Sequence, residues 1–509
     1  MKIAVVGSGP AAVSIISAIY GKKPDVEITV FDVGPEPIPP LLPPPTENPN
    51  ERSFLVRLYK YLRKYQGFSF PPPKSQFGYI PKKVKVSGNP RVWASEMEGG
   101  LSQIWGASVF PMTDNELKNW PLTAGDLAPY YQAVTDMIGI SGADDGLSDY
   151  FGSESINRPA TVMLNLCTRL SAAIHGKTLE TGVQFISGVA RLALETRPDH
   201  ETTCIFCGGC MSGCSRGSVY CSSKDFKRLK ALGAIKNQIF GKVLSFDRTL
   251  KSLKIHTDEG TRTTEKFDRI YLGAGCLGSS EIVMRSFNLL EGPVMRDTAL
   301  FTFPLIDMGK WSMRDAPAGS QVLTNLVVGH VSQKFNGQMM QIQFYPSFEH
   351  LWRYYLPCWI WPIADWFGQV FKKRLLWGRL YLTEEKAARY GLRLNQKDEI
   401  ELDLLDEGGG KYDARQVLND LRVALKGTGF MLPKIGPVRH ATSSHYSSTF
   451  PYHGSMLDVP TSGEIAPGVY LCDSSVFSDA PSISPTLTIM ANAWRMAEQS
   501  LSEYNIGEN

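Results

Sequence analysis

The chain begins with a short apolar strand that runs directly into a glycine-rich turn. Residues 1–12 read MKIAVVGSGPAA, which places glycines at Gly7 and Gly9 and a small residue at Ala12. Gly7 permits a tight turn, Gly9 lets the backbone approach a phosphate, and Ala12 allows close packing between strand and helix. The helix after the turn directs its positive N-terminus towards the phosphates. This pattern predicts a site for a dinucleotide pyrophosphate.

A second strand, Val26 to Phe31, strengthens that interpretation because it ends at an acidic residue. Asp32 follows Ala12 by about 20 positions, the spacing at which a carboxylate binds a ribose hydroxyl. Strand, glycines, helix, second strand and acid in this order are far more specific than the glycines alone. A fortuitous glycine-rich turn is the alternative, and the ordered set disfavours it.

Composition limits the class of protein. The chain has 509 residues, of which 43% are hydrophobic and 20% are charged, which is enough for two domains with substantial cores. A net charge of +3, with Lys and Arg spread along the chain, gives no reason to expect a nucleic-acid partner. Because the chain opens on its first core strand, we expect no signal peptide and a cytoplasmic protein. No apolar run reaches the roughly 18 residues of a membrane-spanning helix.

Further segments carry glycines or small residues at the ends of elements. Residues 98–110 read EGGLSQIWGASVF, and residues 268–275 form an apolar strand that ends in Gly-Ala-Gly. Near the C-terminus, residues 468–477 read GVYLCDSSVF and residues 485–493 read PTLTIMANA. After residue 290 the pattern changes to alternating strands, as in Met340 to Tyr345.

These segments together resemble the glucose-methanol-choline (GMC) oxidoreductase family, and the resemblance covers nearly the whole chain. It implies noncovalent FAD and the oxidation of an alcohol by hydride transfer to the flavin. Covalent members of the family carry a histidine where this chain has Ser102 and Gln103, so we expect no covalent link. The residues that the motifs assign to the cofactor are Gly7, Gly9, Ala12, Asp32, Gly100, Ser102, Gly275, Asp473, Pro485 and Thr486.

The resemblance also implies the fold class and the order of the domains. We expect an α/β protein in which a discontinuous Rossmann-like FAD-binding domain is joined to a substrate domain with an antiparallel sheet flanked by helices. The FAD-binding domain spans residues 1–290, with a cysteine-rich insertion at about 200–222. The substrate domain spans residues 291–437, with an aromatic insertion at 344–380, and residues 438–509 return to the FAD-binding domain and the active site.

Oxidation of an alcohol needs a base whose pKa lies near the working pH, and imidazole meets that requirement. Three histidines compete, namely His440, His445 and His453. The family places its base in an H-x-x-G-T pattern, and His445 opens the matching run HYSST, in which Ser448 replaces glycine. We therefore predict His445 as the base. A structural role for His445, with His440 as the base, is the alternative.

The family has a second active-site residue, His or Asn, before the proline of its last motif. Ser484 stands at that position here. A hydroxyl can hydrogen-bond a substrate oxygen, but it is not a base at neutral pH. We therefore expect a single-base mechanism in which His445 removes the proton and Ser484 contacts the substrate.

Five of the nine cysteines lie within eighteen residues. Cys204, Cys207, Cys210 and Cys214 have the spacing C-x2-C-x2-C-x3-C, which binds iron–sulfur clusters, although Ser215 replaces the usual proline. We predict an iron–sulfur cluster (3Fe-4S or 4Fe-4S), with structural thiols or a disulfide as the second interpretation and zinc as the third. A cluster passes electrons singly to a carrier, which favours a dehydrogenase.

Half of the tryptophans lie between residues 344 and 380, together with the basic run 372–374 and Arg379. From Ile363 the apolar residues recur at helical spacing, which predicts an amphipathic helix. An aromatic face with a basic rim suits an anionic membrane surface. A lid packed on the substrate domain, or stacking of tryptophan on a sugar, is the alternative.

The sequence therefore predicts an FAD-dependent alcohol dehydrogenase that oxidises a secondary hydroxyl of a sugar, glycoside or polyol, including a lipid-linked one. Its expected partners are this substrate, an electron-acceptor protein or a quinone, and the inner face of the membrane. Two alternatives stay open. One is an oxidase that uses oxygen on a hydrophobic alcohol, and the other is a redox-sensing flavoprotein without turnover.

Overall fold

The structure is a computed structural model that describes residues 1–34, 85–86, 92, 94–208, 210, 214, 216–309, 323–335, 337–346, 374–395, 400–434, 436–440 and 442–504. The α-helices of these residues are α1 Pro10–Lys22, α2 Ala124–Ile138, α3 Ser148–Phe151, α4 Asn165–Ile174, α5 Ser222–Ala231, α6 Gly275–Ser286, α7 Lys411–Ala424 and α8 Thr486–Tyr504.

The strands of the described residues, in chain order, are β1 Lys2–Val6, β2 Glu27–Asp32, β3 Lys85–Val86, β4 Gln184–Val189, β5 Ile235–Phe240, β6 Lys242–Phe246, β7 Leu253–Thr257, β8 Gly260–Thr263, β9 Arg269–Leu272, β10 Glu291–Asp297, β11 Leu300–Asp307, β12 Leu326–Val331, β13 Met339–Pro346, β14 Leu375–Tyr381, β15 Ala388–Leu394, β16 Ile400–Asp406, β17 Phe430–Met431, β18 Val438–Arg439, β19 Tyr446–Ser447, β20 Glu464–Ala466 and β21 Val469–Leu471.

A six-stranded sheet, which we call the parallel sheet, has the order β20-β21-β9-β1-β2-β5. All its neighbouring strands run parallel except the β20–β21 pair. The central strand β1 is almost entirely apolar and buried, as expected for a strand covered on both faces. Its strands come from the beginning, the middle and the end of the described chain, and α1 packs against α8 beside it. Separate parts of the chain therefore build this sheet, as expected for a discontinuous FAD-binding domain.

A seven-stranded sheet forms the second part of the fold, with the order β17-β11-β14-β13-β12-β4 and β18 paired with β11. Its strands pair antiparallel. Along β13, Met340, Ile342 and Phe344 enter a hydrophobic core with residues of α4 and α7. Because side chains alternate along a strand, Gln341 and Gln343 lie on the opposite face. This is the predicted antiparallel sheet flanked by helices.

Two smaller sheets complete the fold. One is five-stranded, with the order β19-β10-β15-β16-β3, and the other is three-stranded, with the order β6-β7-β8. The antiparallel pairing of β19 with β10 fixes the loop that precedes β19. The domain boundaries at residues 290 and 437 stay predictions.

The expected strands and the helix after the first glycine turn are observed with small shifts of their ends, whereas the amphipathic helix predicted from Ile363 lies outside the described residues. The strand predicted to end at Asp32 is β2, and the apolar strand before Gly275 is β9. The alternating segments near residues 340 and 400 are β13 and β16. No described helix combines the length and the apolar composition that are needed to cross a bilayer.

Candidate active site

A cavity of about 1170 Å³ lies between the parallel sheet and the seven-stranded sheet. At one end it is lined by Gly7, Gly9 and Asp32, and at the other by Gln343 and His445. The first end is at the carboxyl ends of β1 and β2, where open parallel sheets bind their ligands. The cavity therefore joins the predicted nucleotide site to the predicted base.

The turn after β1 requires glycine at Gly7 and leaves open space at Gly9. Gly7 has φ of +104°, and a Cβ there would lie 2.6 Å from the carbonyl oxygen of Gly273. A Cβ on Gly9 would meet nothing within 4 Å. Gly9 caps α1 without a side-chain hydrogen bond, and Pro10 is the first residue of the helix. The N-terminus of α1 can thus receive an anion directly from the cavity.

Two other predicted nucleotide-site residues take different places around this turn. Ala12 is fully buried, and the backbone of α1 at Ala12 lies close to Gly273, so Ala12 permits the close packing that its size predicted. Asp32 ends β2 and lines the cavity. Burial raises the pKa of Asp32 to about 6, and hydrogen bonds from Ser8 and Gly34 oppose that rise. The backbone N–H of Gly34 donates to Asp32 Oδ1 at 2.7 Å.

Gly100 and Ser102 form the wall that faces the β1 turn. Gly100 has φ of +56°, and a Cβ on it would lie 3.8 Å from the Cα of Gly9. Ser102 lines the cavity, but its hydroxyl donates to the carbonyl oxygen of Gly99 at 2.6 Å and lies 3.0 Å from Ser222 Oγ. Ser102 therefore shapes the loop, while Gly100 keeps the space in front of Gly9 free.

The remaining predicted cofactor residues lie at the start of α6, just after β21 and at the start of α8. Gly275 begins α6 with φ of +77°, and a Cβ there would meet nothing within 4 Å. Asp473 lines the cavity and accepts hydrogen bonds from the hydroxyls of Ser279 and Ser475, each at 2.6 Å. Burial raises the pKa of Asp473, and these hydrogen bonds oppose the rise.

Ser484, Pro485 and Thr486 line the cavity at the beginning of α8. Ser484 is buried, and its hydroxyl accepts a hydrogen bond from Gln343 Nε2 at 3.3 Å. The N-terminus of this long helix adds a second positive dipole end to the cavity.

The predicted base His445 lies in the loop before β19. Its ring stacks on Tyr381, with centroids 5.3 Å apart and planes 12° apart. The backbone N–H of His445 donates to Asp297 Oδ1 at 3.3 Å, and the Ser443 hydroxyl donates to the same oxygen at 2.6 Å. Within the described structure, His445 Nδ1 is buried without a hydrogen-bond partner. Burial lowers the pKa of His445 to about 4, so its imidazole is neutral near pH 7.

The two competing histidines have other surroundings. His440 also lines the cavity, but its Nε2 lies 2.5 Å from Thr302 Oγ1. Burial, with the charge of Arg379, lowers the pKa of His440 to about 3. His453 is exposed outside the cavity wall, and its Nδ1 lies 3.1 Å from Asp458 Oδ1. The geometry favours His445, whose role stays a prediction.

The structure adds a wall of polar residues that sequence reasoning missed. Gln343 and Tyr345 on β13 line the cavity beside Arg379 and Tyr381 on β14. Tyr345 donates to Gln343 Oε1 at 2.7 Å, and the guanidinium of Arg379 lies 4.9 Å from the centre of the Tyr345 ring. The alternation of polar and apolar residues along β13 was the available signal. It did not show that β14 pairs with β13.

Part of the predicted aromatic insertion is instead this pair of strands. Residues 344–346 belong to β13 and residues 375–380 to β14, while residues 347–373 lie outside the described residues. Trp377 is buried, and Arg374 donates to the carbonyl oxygens of Asp307 and Gly309, each at 3.1 Å. Trp377 is thus buried and Arg379 lines the cavity, whereas the predicted amphipathic helix from Ile363 lies outside the described residues and its membrane contact stays a prediction.

The four cysteines of the predicted cluster do not form a metal site in this structure. Cys210 is buried in the hydrophobic core, whereas Cys207 is exposed. Burial raises the pKa of Cys204 to about 11, and the backbone N–H of Ser218 donates to Cys214 Sγ at 3.2 Å. Among the described residues, which include all four cysteines, no three His, Cys, Asp or Glu side chains are placed to hold a metal ion. The charges of Cys207 and Cys214 also raise the pKa of Cys204, so these thiols are neighbours, but the described arrangement does not support a cluster, which stays a prediction.

Comparison with known proteins identifies the fold. No protein-family model matches the chain, and no curated protein matches it in sequence. The structure is similar to pyridoxine 4-oxidase from Mesorbium loti, with a TM-score of 0.64 and 15% identity over 98% of this chain and 99% of that chain.

Two further solved structures agree with this result. A formate oxidase from Aspergillus oryzae RIB40 has a TM-score of 0.65 and 13% identity over 99% of this chain and 98% of that chain. An FAD-dependent oxidoreductase from Chaetomium thermophilum has a TM-score of 0.63 and 13% identity over 99% of both chains. The chain therefore shares the fold of these two oxidases and of the FAD-dependent oxidoreductase, which agrees with the fold that the sequence resemblance implied.

Proposed function

We propose that this chain is an FAD-dependent oxidoreductase that oxidises an alcohol. One observation carries the proposal, namely the cavity that joins the glycine-lined end at Gly7 and Gly9 to His445 and Ser484. The fold of FAD oxidoreductases supports it. A cavity of this kind can hold a dinucleotide at one end and an alcohol beside a base at the other.

The residues of the cavity fit FAD. Gly9 and Gly275 have no side chains, and a Cβ built on either residue would meet nothing within 4 Å. The space in front of both residues is therefore open to a dinucleotide. The N-terminus of α1 would hold the pyrophosphate, and Asp32 would hold a ribose hydroxyl. Gly100 and Asp473, together with the start of α8, would hold the remainder. When bound, FAD supplies the acceptor for the hydrogen and the electron pair that leave the alcohol carbon.

The proton of the alcohol hydroxyl passes to His445 as the carbon–oxygen double bond forms. His445 can accept it because its lowered pKa keeps the ring neutral near pH 7. Asp297 positions the base, since it accepts hydrogen bonds from the loop that carries His445. Ser484 and Gln343 offer hydrogen-bonding groups to the substrate from the wall of the cavity.

The proposed substrate is a secondary alcohol of a sugar, glycoside or polyol. The amide and hydroxyl groups of Gln343, Tyr345 and Ser484 support a substrate with several hydroxyls, because they place hydrogen-bonding groups on the cavity wall, where a polar ligand can reach them. A dehydrogenase that delivers electrons to a protein or a quinone is the first candidate.

Molecular oxygen as the acceptor is the second candidate, because similar structures include a pyridoxine 4-oxidase, a formate oxidase and an aryl-alcohol oxidase. Electron transfer through a cluster at Cys204 to Cys214 has no support from the arrangement of the thiols. Iron and sulfide analysis of protein purified without oxygen tests that path directly.

Anaerobic reduction of the bound flavin tests the proposed function. Purified protein should contain FAD, and one or more members of a panel of sugars, polyols and aryl alcohols should bleach the flavin absorbance. His445→Ala should keep FAD and slow the reduction by roughly 10² to 10⁴-fold, the usual contribution of a general base. The matched control is His453→Ala, because His453 lies outside the cavity wall.

Three results would contradict this proposal. Protein that is purified without FAD and cannot be reconstituted with it would contradict the proposed cofactor. Bound flavin that no alcohol of the panel bleaches would contradict the proposed oxidation of an alcohol. A large defect in His440→Ala, with His445→Ala unaffected, would assign the base to the other histidine.

A further inference from the structure

The polar wall of the cavity carries one positively charged side chain among its described residues, that of Arg379. In the register of β13 and β14, Arg379 lies directly opposite Gln343, and both residues line the cavity. The histidines on this side, His440 and His445, are neutral near pH 7 because burial lowers their pKa values. Arg379 also hydrogen-bonds the side chain of Tyr381, which helps to hold the guanidinium at the cavity wall.

The acidic residues of the cavity wall lie at the opposite end. Asp32 ends β2, and Asp473 contacts Ser279 of α6 beside the parallel sheet. Glu281 on α6 is ion-paired with Lys242 and Arg285, with both N–O distances at 2.6 Å. The described cavity is therefore polarised, with carboxylates at the glycine-lined end and the Arg379 cation at the end that holds His445.

Arg379 is linked to the predicted base through Tyr381, and its charge also lowers the pKa of His440. Its guanidinium lies 4.9 Å from the centre of the Tyr345 ring, and Tyr345 is fixed by its hydrogen bond to Gln343. Tyr381 follows Arg379 by two residues on the same face of β14, a separation of roughly 7 Å along a strand. Tyr381 in turn stacks on His445 at 5.3 Å. One small molecule can therefore reach both Arg379 and His445.

Resting on the proposed function, we infer that the alcohol substrate carries an anionic group, either a carboxylate or a phosphate, and that Arg379 binds this group. A planar guanidinium can donate two parallel hydrogen bonds to either anion. The anion would then hold the substrate at one point while its hydroxyl contacts His445. Arg379 is thus a residue that determines specificity, whereas His445 determines the chemistry.

Matched substrates test this inference. Sorbitol, gluconate and sorbitol 6-phosphate share a polyol chain and differ in charge. Wild-type holoenzyme should reduce its flavin with kcat/KM roughly 10- to 100-fold higher for an anionic member than for sorbitol, the effect of a hydrogen bond to a charged group. A higher value for gluconate assigns a carboxylate, and a higher value for sorbitol 6-phosphate assigns a phosphate.

Variants at Arg379 separate its charge from the packing of the wall. Arg379→Gln should abolish the preference for the anion, and Arg379→Lys should restore part of it. The control is Arg389→Gln, because Arg389 is exposed on β15 and lies outside the cavity wall. This control should keep the preference of the wild type. Equal kcat/KM for charged and neutral members in the wild type, or a preference that survives Arg379→Gln, would overturn the inference.

A binding measurement makes the result independent of turnover. Isothermal titration calorimetry with benzoate, phenyl phosphate and benzamide should give a lower Kd for an anion than for the amide. Arg379→Gln should raise only the Kd of that anion, by roughly ten-fold or more. Equal binding of all three would overturn the inference even if alcohols bleach the flavin. Flavin that no alcohol bleaches would contradict the proposed function, and calorimetry would still decide the role of Arg379.

Discussion

The burial of His445 makes a quantitative prediction for activity at acid pH. Burial lowers its pKa from 6.5 to about 4, and only the neutral ring accepts a proton, so activity is present above about pH 4 and is lost below it. At pH 5 a histidine with a pKa of about 4 is roughly 90% neutral, whereas an ordinary histidine is roughly 3% neutral. The neutral fraction of His445 at pH 5 should therefore be about 30-fold larger than that of an ordinary histidine, and the loss of flavin reduction on acidification should be displaced from near pH 6.5 towards pH 4.

Tyr381 provides the matched perturbation, because its ring covers His445 at a centroid distance of 5.3 Å. Tyr381→Ala should admit water to the imidazole and raise its pKa towards 6.5, which moves the loss of activity to higher pH. Tyr381→Leu should keep the position filled and apolar, and its profile should stay close to that of the wild type. Both variants should reduce their flavin at similar rates at pH 8, where the base is neutral in each.

The assay is stopped-flow measurement of anaerobic flavin reduction between pH 4.5 and pH 9, with FAD content measured at each pH. Wild-type activity that is halved near pH 6.5 would refute the burial argument. The same refutation would follow if Tyr381→Ala and Tyr381→Leu had identical profiles, since the two variants differ in the hydration that they allow.

Three other predictions concern the cofactor, the loop and the surface. Gly9→Asp should leave the FAD-free protein as stable as the wild type, because a Cβ there meets nothing within 4 Å. The variant should not bind FAD, because its carboxylate repels the pyrophosphate, and stoichiometric FAD in the variant would contradict this prediction. Asp297→Ala leaves the N–H groups of the His445 loop unpaired, which should lower the free energy of unfolding by about 1–3 kcal/mol. The variant should keep its FAD and reduce it more slowly. An equal loss of FAD content and of the reduction rate would indicate a merely structural role for Asp297. If residues 363–371 bind the inner face of a membrane, the protein should sediment with anionic vesicles at low salt. The double variant Trp366→Ser, Phe367→Ser should then stay in solution. Wild-type protein that stays in the supernatant would exclude such binding.

The part of the site that could be predicted from the sequence is the part built from neighbouring residues. Gly7, Gly9 and Asp32 follow one another within a strand–helix–strand unit, so their spacing alone fixes their geometry. The polar wall could not be predicted in this way. Gln343 and Arg379 meet only because β13 pairs with β14 in one register, and a shift of β14 by one residue would turn Arg379 to the other face of the sheet.

The histidines and cysteines show the same limit. His440 and His445 differ in their partners, Thr302 and Tyr381, which belong to strands far away in sequence. The cysteine run has the spacing of cluster ligands, but a metal site needs thiolates that converge on one point. In this structure Cys207 is exposed and Cys210 is buried in the core. Spacing therefore indicated a ligand set, but it predicted neither the exposure of each thiol nor whether three of them are placed to hold a metal ion.

The pairing of α1 with α8 has a consequence for synthesis of the protein. The first helix leaves the ribosome early, but the helix that packs beside it begins only at Thr486. At about 5–20 residues per second, the ribosome needs roughly half a minute or more to add the intervening residues. During that time the nascent chain lacks β21 and Asp473 as well, so the cavity has only part of its wall. The proposed cofactor would therefore find a complete cavity only after α8 has been made, and a chain that stops short of α8 would lack that part of the cavity wall.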